Sequence, residues 1–520
     1  MLSPRYWGDL FMIDRPINRL RPICYYTGLI ILVLNALQIL PILTSVLYGE
    51  WPIVFAFIAS LSIAALVAAG LMLAGAKDRY SKLSFGEGMV VAAGSWFLCM
   101  LLSALPYYFS GNYLSYLDTC FDVMSGLTTT GLTLIQDLDH VSNGINMWRH
   151  LLTFVGGQGM VVLTLTFLTK GQGGAYRMYV GEAKDEKLLP NAISTARRIW
   201  QISLIYLGIG TVALTASALV AGLPLDRAFL HGLWTYMSAW STGGFAPMSQ
   251  NILYYHSTLF ELVTVVFFVI GSFNFALHHA VLSGNTKELR KNIETVTFSV
   301  TLIITVLLCT LGLMKNNVYP DAMAMFRKGF YQLISGHTTT GFMTIYAKQF
   351  YYEWGDIALF ALTLAMMFGG SASSTAGGFK GMRTGILFTA LKSEVRRMVL
   401  PESRVREQKY HHIRDIVLTD TVVKSAALIV ILYVATFAIG TIAGLLAGFP
   451  LSMAAFESAS ATGNVGLSIG VTTAAMPAFL KIVYIAIMWL ARLEFLSVFA
   501  LISYLVRKAA QVCQKKPYSL

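Results

Sequence analysis

Four short segments of the sequence repeat one spacing of residues that suits the coordination of a cation. Each has an aromatic residue, a serine four positions later and a glycine six positions after the serine, followed by leucine or phenylalanine. The segments are FDVMSGLTTTGL, WTYMSAWSTGGF, YQLISGHTTTGF and FESASATGNVGL. A dehydrated cation needs oxygens in place of its water, and backbone carbonyls turned toward one axis can supply them. Because glycine permits that backbone conformation at little steric cost, we expect the four segments to form one ring around a cation path.

The predicted cation site lies at the polar and glycine residues that end each segment. Its residues are Thr129, Thr130, Gly131, Thr242, Gly243, Gly244, Thr339, Thr340, Gly341, Asn464, Val465 and Gly466. One such segment alone is typical of a tight turn, but four in register indicate an internal repeat. Helix-start signals precede the segments at Asp118, at Pro224 with Asp226, at Pro320 with Asp321, and at Pro450 with Ser452. We expect a short helix to run from each signal to the serine, with its partially negative C-terminus toward the cation path.

The elements that hold these segments are apolar enough to cross a membrane. The chain has 520 residues, of which 56% are hydrophobic and 12% charged, and its mean hydropathy is +0.63. A soluble domain has roughly twice that charged fraction. Ten apolar runs have the length of a transmembrane helix, at 23–48, 52–75, 86–110, 147–169, 199–221, 259–282, 296–314, 355–391, 421–446 and 475–506. Because the runs are continuous rather than alternating, we predict an all-α integral membrane protein rather than a β-barrel.

The order of runs and segments predicts four pseudo-symmetric repeats around one central pore. Each repeat consists of a span, a re-entrant pore helix and a second span, and two extra transmembrane helices precede the first repeat. The predicted divisions are 1–80 for the N-terminal pair, 81–175 for repeat 1, 176–293 for repeat 2, 294–412 for repeat 3 and 413–520 for repeat 4.

Charge is distributed unevenly between the two sides of the predicted membrane. Residues 111–146 contain four aspartates and no lysine or arginine, and residues 447–474 also lack both basic residues. The opposite connections carry basic clusters, of which the largest lies within 383–414. By the positive-inside rule the basic side is cytoplasmic, so we predict a multi-pass protein of the bacterial inner (plasma) membrane, surrounded by lipid. The net charge of +12 then reflects topology, and nucleic-acid binding is not expected.

The four segments and their order resemble the Trk/Ktr/HKT superfamily of potassium uptake proteins. The stretch SWFLCMLLSALPYYFSGNYLSYLDTCFDVMSGLTTTG is similar to the first repeat of the TrkH branch, and the two extra N-terminal spans fit that branch. The resemblance implies that the four motif glycines are filter glycines. It also implies that K⁺ is the transported ion, because a serine in place of Gly131 is associated with sodium permeation in the family. Two positions depart from the family pattern: Asn464 stands where threonine is common, and His337 precedes the third threonine run. We expect His337 to face the pore mouth rather than to act as a pH sensor.

The resemblance also implies partners. The family's pore is regulated by a separate TrkA-type cytoplasmic subunit that binds nucleotide, and family members form homodimers. The basic inner face, at 383–414 and 170–198, is either the docking surface for that subunit or a set of charges that serves only to orient the chain in the membrane. This chain has no GxGxxG between a strand and a helix and no Walker A sequence, so no nucleotide is expected on it.

A glycine-rich segment interrupts the eighth apolar run. The sequence MMFGGSASSTAGGFKGMRTG, residues 366–385, cannot hold a straight helix, and we predict a mobile intramembrane loop at 369–384 rather than close helix packing. The resemblance implies that this loop lies beneath the filter as a gate, and that Arg492, within the last span, projects into the pore below the filter and limits leak. The predicted gate residues are Gly369, Gly370, Gly377, Gly378, Lys380 and Arg492.

Two other mechanisms remain open from the sequence. A potassium symporter coupled to H⁺ or Na⁺ would need carboxylates within the spans, where Glu261 and Glu494 are the residues to check. An intramembrane enzyme would need paired carboxylates, a serine–histidine pair or a metal cluster at one depth, and no convincing set occurs. The histidine pairs at 278–279 and 411–412 lack zinc-site spacing, and the five scattered cysteines form no CxxC pair. We therefore predict a gated, K⁺-selective and Rb⁺-permeable uptake pore and not an enzyme.

Overall fold

The computed structural model describes residues 19–79, 81, 83–135, 137–167, 175–182, 191–399 and 407–514. Helices make up nearly all the regular structure of these residues, as the sequence predicted. At the N-terminal end, α1 (Leu20–Ala36) is followed by α2 (Ile39–Leu47), and α3 (Trp51–Gly75) returns beside α1. A Cβ atom on Gly28 would lie 2.7 Å from the carbonyl oxygen of Ala68, so glycine lets α1 and α3 pack closely.

Each motif segment lies at the C-terminal end of a short helix that stands between two longer helical segments. Around the first motif are α4 (Phe85–Ser103), α5 (Leu105–Phe109), α6 (Tyr116–Leu127), α7 (Asn143–Gln158) and α8 (Met160–Phe167), followed by α9 (Ala175–Gly181). Around the second are α10 (Ala192–Val220), α11 (Leu225–Trp240), a 3₁₀ turn (Asn251–Tyr255), α12 (Thr258–Gly271) and α13 (Phe275–Leu282). Around the third are α14 (Glu288–Lys291), α15 (Ile293–Lys315), α16 (Ala322–Ala324), a π-helical turn (Met325–Phe330), α17 (Tyr331–His337), α18 (Ala347–Tyr352), α19 (Gly355–Phe368) and α20 (Gly381–Val399). Around the fourth are α21 (Asp420–Leu446), α22 (Leu451–Thr462), α23 (Ala478–Arg492) and α24 (Leu496–Gln514).

The second long segment of every repeat is interrupted, whereas the sequence predicted an interruption only in the third. Gly159 separates α7 from α8 with a φ of +106°, which glycine adopts readily. Helices α12 and α13 are bent by 100°, α23 and α24 by 115°, and the loop 369–380 separates α19 from α20. Within the described ranges, six helices are long and apolar enough to cross a membrane, or eight if each bent pair counts as one span. Within the described residues, the predicted runs at 147–169, 259–282 and 475–506 are therefore each divided into two helices.

The N-terminal caps of the pore helices can be compared with the helix-start signals predicted from the sequence. Ser115 caps α6, because its hydroxyl accepts a hydrogen bond from the N–H of Asp118 at 3.2 Å, so this helix begins before the predicted signal. The other signals are confirmed: Pro224 and Pro450 immediately precede α11 and α22, and the carboxylate of Asp321 caps α16.

A two-stranded antiparallel hairpin lies on the basic, inner side between α20 and α21. It consists of β1 (Lys409–His412) and β2 (Arg414–Val417). Nδ1 of His411 is 2.6 Å from Oδ1 of Asp415, and its Nε2 is 3.2 Å from both carboxylate oxygens of Glu288 on α14. Hydrogen bonds to Asp415 and Glu288 raise the pKa of His411, and the bond from His411 lowers the pKa of Asp415.

We expect the hairpin to be most stable in mildly acidic solution. A histidine with a raised folded pKa adds stability below its unfolded pKa of about 6.5, and that stability is lost as the pH rises through the folded pKa. Asp415, with a lowered folded pKa, adds stability above about 3.9, which is lost as the pH falls through its folded value. Hydrogen–deuterium exchange of residues 407–417, corrected for intrinsic rates, should therefore be slower at about pH 5.5 than at about pH 8. The substitution His411→Gln should remove this difference, and equal protection of the unmodified protein at both pH values would contradict the prediction.

Candidate cation site and gate

The carbonyl oxygen of each motif serine fixes the loop that follows its pore helix. In all four loops the N–H of the residue before the motif glycine donates to that carbonyl oxygen at 2.8 Å. The pairs are Thr130 to Ser125, Gly243 to Ser238, Thr340 to Ser335 and Val465 to Ser460. Bonds of this kind end a helix, and they explain why the six-residue interval from serine to glycine is the same in all four repeats.

The residue two positions before each motif glycine has a left-handed backbone. Thr129, Thr242, Thr339 and Asn464 have φ values of 55°, 50°, 56° and 51°. This conformation is rare for a β-branched residue and costs on the order of 1–3 kcal/mol, so the surrounding bonds must hold it. Asparagine tolerates it better than threonine, which accounts for Asn464 in the fourth loop. The side-chain amide of Asn464 also donates to Oγ1 of Thr130 in the first loop at 3.0 Å.

The four motif glycines form a closed ring in the order of the sequence. Their φ values lie between 68° and 95°. A Cβ atom on each would lie less than 3.0 Å from the carbonyl oxygen of the residue before the motif glycine in the next loop. These approaches run from Gly131 to Gly243, from Gly244 to Thr340, from Gly341 to Val465 and from Gly466 to Thr130. The loops therefore pack backbone against backbone, and the structure brings all twelve residues predicted for the cation site into one ring.

His337 does not face the pore mouth, and that expectation is wrong. It is the last residue of α17 and is fully buried. Its Nε2 lies 2.9 Å from Oγ1 of Thr301, and its ring packs edge-to-face on Phe298, both on α15. A pore helix runs inward from the outer surface, so a residue at its C-terminal end lies behind the inner part of the ring.

The loop 369–380 lies against the inner side of the ring and contacts all four of its loops. The N–H of Gly377 donates to Oγ1 of Thr339 at 2.8 Å, and Oγ1 of Thr375 is 3.2 Å from Oγ1 of Thr242. The carbonyl oxygen of Thr375 accepts from Oγ1 of Thr129 at 3.5 Å. On the fourth loop, the backbone approach is so close that a Cβ atom on Gly377 would collide with the carbonyl oxygen of Gly463. The loop therefore packs directly against the ring through all four of its loops.

Glycines allow the two ends of this loop to meet. Gly369 and Gly378 have φ values of 69° and 73°, and a Cβ atom on Gly369 would lie less than 3.0 Å from the carbonyl oxygen of Gly377. The N–H of Gly381 donates to the carbonyl oxygen of Gly370 at 2.8 Å. Any side chain at these positions would force the two ends apart, which is the physical reason for the glycine pairs in the sequence.

Arg492 joins the loop to the interrupted segment of the first repeat. Its Nη1 donates to the carbonyl oxygen of Thr375 at 2.6 Å, and its Nη2 donates to those of Gly156 and Gly157 at 2.6 and 3.1 Å. Charge-assisted bonds of this kind compensate a guanidinium for the water it loses inside the membrane. Arg492 is thus a bridge between the loop and α7.

Two further basic residues stand at the C-terminal end of the loop. Nζ of Lys380 donates to the carbonyl oxygen of Ala376, and Arg383 pairs with Glu494. Glu494 follows the end of α23 and has a φ of 51°. Arg492 and Glu494 therefore serve different partners, as their spacing of two residues indicated.

Glu182 is a buried residue near Arg492 whose role the sequence did not predict. It follows α9, and its carboxylate accepts hydrogen bonds from the N–H groups of Val161 and Val162 at 2.9 and 3.1 Å and from Nε1 of Trp96 at 3.1 Å. It therefore stabilises the N-terminus of α8, and it lines the same cavity as Arg492. The apolar and basic sequence around it predicts only a cytoplasmic connection, because a cap supplied from a later segment leaves no local signal.

The two carboxylates considered for ion coupling are both in ion pairs. Glu261 accepts bonds from Nε and Nη2 of Arg327 at 2.9 and 2.7 Å, and Glu494 is paired with Arg383. The residues that the structure describes contain no group of three or more His, Cys, Asp or Glu that could hold a metal ion. Segments 170–174, 183–190 and 400–406 of the predicted docking face lie outside the described residues.

Comparison with known proteins places the chain in a family. The TrkH family model, described as a cation transport protein, matches residues 54–510. The Trk system potassium uptake protein TrkG of Escherichia coli K12 is 31% identical over 395 residues, which cover 74% of this chain and 77% of that protein. An uncharacterized cation transporter of Methanocaldococcus jannaschii is 28% identical over 493 residues, covering 95% and 97% of the two chains. The crystal structure of the potassium transporter TrkH from Vibrio parahaemolyticus matches with a TM-score of 0.80 and 24% identity, covering 94% of this chain and all of that one.

The helical fold and its central ring define a multi-pass membrane transporter. The chain belongs to the TrkH family of cation transport proteins, as the resemblance of its four segments implied. It is a transport protein of the bacterial inner membrane and not an enzyme, which confirms both predictions from the sequence.

Proposed function

We propose that this chain takes up K⁺ through a gated, K⁺-selective pore that also passes Rb⁺. The closed ring of four glycine loops carries this proposal. Four backbone carbonyls at equivalent positions suit a cation that has lost its water, and the bound ion would lie at residues 129–131, 242–244, 339–341 and 464–466. The relatives named as potassium proteins in Escherichia coli and Vibrio parahaemolyticus support K⁺ as the ion.

The gate in this proposal is the loop 369–380, held closed by Arg492. The loop reaches the ring through polar contacts of Thr375 and Gly377, and the guanidinium ties it to α7. Opening would require these bonds to break and the glycine-rich ends of the loop to change conformation. The bonds are few and local, so a modest input of free energy from the inner side would suffice to move the loop.

We further propose a TrkA-type nucleotide-binding cytoplasmic subunit and a second copy of this chain as partners. The names of the relatives describe a Trk system, which supports a separate regulatory subunit. On the inner end of α20, Lys392, Arg396 and Arg397 are exposed and offer a basic docking surface. The division of the chain into an N-terminal pair and four repeats at the predicted boundaries is part of the same proposal.

Uptake of ⁸⁶Rb⁺ into K⁺-loaded proteoliposomes tests the function. We expect uptake without any H⁺ or Na⁺ gradient, with inhibition by external K⁺ but not by external Na⁺. Protein-free liposomes provide the background. Uptake that appears only when an H⁺ or Na⁺ gradient is imposed would contradict a passive pore and would establish the symporter instead.

A further inference from the structure

Each pore helix carries a fully buried polar residue nine positions before its motif glycine. The four residues are Asp122, Thr235, Gln332 and Glu457. In repeats 1 and 4 the residue is an acid. An acid buried in a membrane protein is costly unless several hydrogen-bond donors surround it, so its partners indicate what it does.

The two acids accept hydrogen bonds from the same positions of their loops. The bonds join Asp122 to the hydroxyl of Thr133 (2.6 Å) and the N–H of Leu134 (2.6 Å), and Glu457 to the hydroxyl of Ser468 (2.8 Å) and the N–H of Ile469 (3.0 Å). In both repeats these donors stand two and three positions after the motif glycine. Repeats 1 and 4 differ in sequence, but in both of them a carboxylate on the pore helix is hydrogen-bonded to the segment that follows the motif glycine.

The other two loops are held by neutral groups. The amide of Gln332 donates to Oγ1 of Thr344, again three positions after the motif glycine, at 2.8 Å. In the second repeat, the amide of Asn251 donates to the carbonyl oxygen of Gly244 at 3.2 Å. The acid-held loops are neighbours in the ring, because the fourth loop packs against the first. One side of the ring is thus held by carboxylates and the other by neutral groups.

We propose that Asp122 and Glu457 are positioning residues that set the ion selectivity of the ring. Each acid holds the segment that follows its motif glycine at a fixed distance from its own pore helix. The ring carbonyls lie in the stretch of chain between the acid and that segment. Selectivity among cations depends on the number and arrangement of such carbonyls, so a looser loop would discriminate less. This inference rests on the proposed function of the ring as a K⁺ filter.

The donors around the two acids differ in a way that makes the proposal testable. Glu457 accepts a backbone N–H on each oxygen, from Ile469 on Oε2 and from Thr472 on Oε1. A glutamine at 457 would place its NH₂ group against one of these two N–H groups, so that two donors would face each other and one hydrogen bond would be lost. Asp122 accepts a backbone N–H only on Oδ1, whereas Oδ2 accepts two hydroxyl groups, which can rotate and become acceptors. An asparagine at 122 can therefore keep its bonds.

Glu457→Gln and Asp122→Asn each remove one negative charge, but only the first forces two donors together. We expect Glu457→Gln to let Na⁺ inhibit ⁸⁶Rb⁺ uptake at about tenfold lower concentration, and Asp122→Asn to change this concentration little. Equal effects of the two substitutions would overturn the positioning role in favour of a purely electrostatic one. Asp137→Asn, at an exposed acid on the outer side, is the matched control and should behave as the unmodified protein.

Substitutions that leave both acids in place keep the test valid if Glu457→Gln does not fold. Ser468→Ala and Thr133→Val each remove one hydroxyl donor, and each should shift inhibition by Na⁺ in the same direction as Glu457→Gln but less. The ratio of K⁺ to Na⁺ inhibition is the measured quantity, because a merely structural defect lowers the amount of active protein without changing that ratio. Unchanged ratios in monodisperse, active Glu457→Gln, or in both hydroxyl variants, would overturn the inference. An unmodified protein without preference for K⁺ over Na⁺ would instead overturn the proposed function.

Discussion

Replacing Gly466 or Gly341 with alanine is expected to abolish the preference of the protein for K⁺ and Rb⁺ over Na⁺. These two glycines have φ values of 95° and 85°, a region that costs an L-residue roughly 1–2 kcal/mol or more. The added Cβ would also collide with a ring carbonyl of the neighbouring loop, and the approach is closest at these two positions. The carbonyl would have to move, so we expect Na⁺ to inhibit ⁸⁶Rb⁺ uptake about as well as K⁺ does, or uptake to be lost. The same change at Gly131 or Gly244 should act in the same direction with a smaller effect.

Gly208→Ala is the matched control for these substitutions. Gly208 lies within α10, its φ is not positive, and a Cβ atom added to it would meet no neighbouring group within 4 Å. Alanine should therefore leave uptake and its inhibition by K⁺ and Na⁺ unchanged. If Na⁺ inhibits ⁸⁶Rb⁺ uptake by Gly466→Ala and Gly341→Ala as weakly as it inhibits uptake by the unmodified protein, the ring is not the element that selects the ion.

Replacing Arg492 with alanine is expected to increase ⁸⁶Rb⁺ uptake in the absence of any regulatory subunit. The substitution removes the three hydrogen bonds through which Arg492 ties the loop 369–380, the proposed gate, to α7. A hydrogen bond from a charged group contributes about 1.5–3 kcal/mol, so the loss of even one supports an increase of about tenfold. Arg492→Lys should have an intermediate effect, because an ammonium keeps the charge but cannot span both sets of carbonyls in the planar arrangement of a guanidinium.

Arg327→Ala is the control for the loss of an arginine that makes several hydrogen bonds, because Arg327 forms a partly exposed ion pair away from the loop 369–380. Arg327 pairs with Glu261 at the outer end of α12 and has no bond to the gate loop. Its loss is expected to lower thermal stability without raising uptake by the remaining folded protein. Uptake by monodisperse Arg492→Ala that is equal to or lower than that of the unmodified protein would contradict the role of Arg492 in holding the loop closed.

The ring could be predicted from the sequence because it is repeated and local. The serine, the left-handed residue and the glycine act within one stretch of seven residues, and the bond from each pre-glycine N–H to a serine carbonyl requires a constant interval. Four copies of that interval survive in sequences that otherwise differ. The glycine pairs of the gate loop were visible for a similar reason, since Gly369 and Gly378 interrupt an apolar run where a helix would otherwise continue.

Several features of the structure could not be predicted, because the sequence around them carries no pattern that indicates them. The breaks at Gly159, at 272–274 and at 493–495 are only one to three residues long, so the hydropathy of each run stays high across them. Glu182 acts on α8 from a later segment, and Asp122 and Glu457 stand on pore helices whose inward and outward faces cannot be told apart before the ring is known. His337 was misplaced because its depth depends on the direction in which the pore helix enters the membrane.

A K⁺ filter requires a cation bound by the four loops, and anomalous diffraction from Rb⁺-soaked crystals would detect it. We expect an anomalous peak on the axis of the ring, between the carbonyl oxygens of Thr130, Gly243, Thr340 and Val465. Soaking with excess K⁺ should displace this Rb⁺, whereas an equal concentration of Na⁺ should not. A map with no Rb⁺ at the ring, or with Rb⁺ displaced equally by Na⁺ and K⁺, would contradict the assignment of the ring as a K⁺ filter.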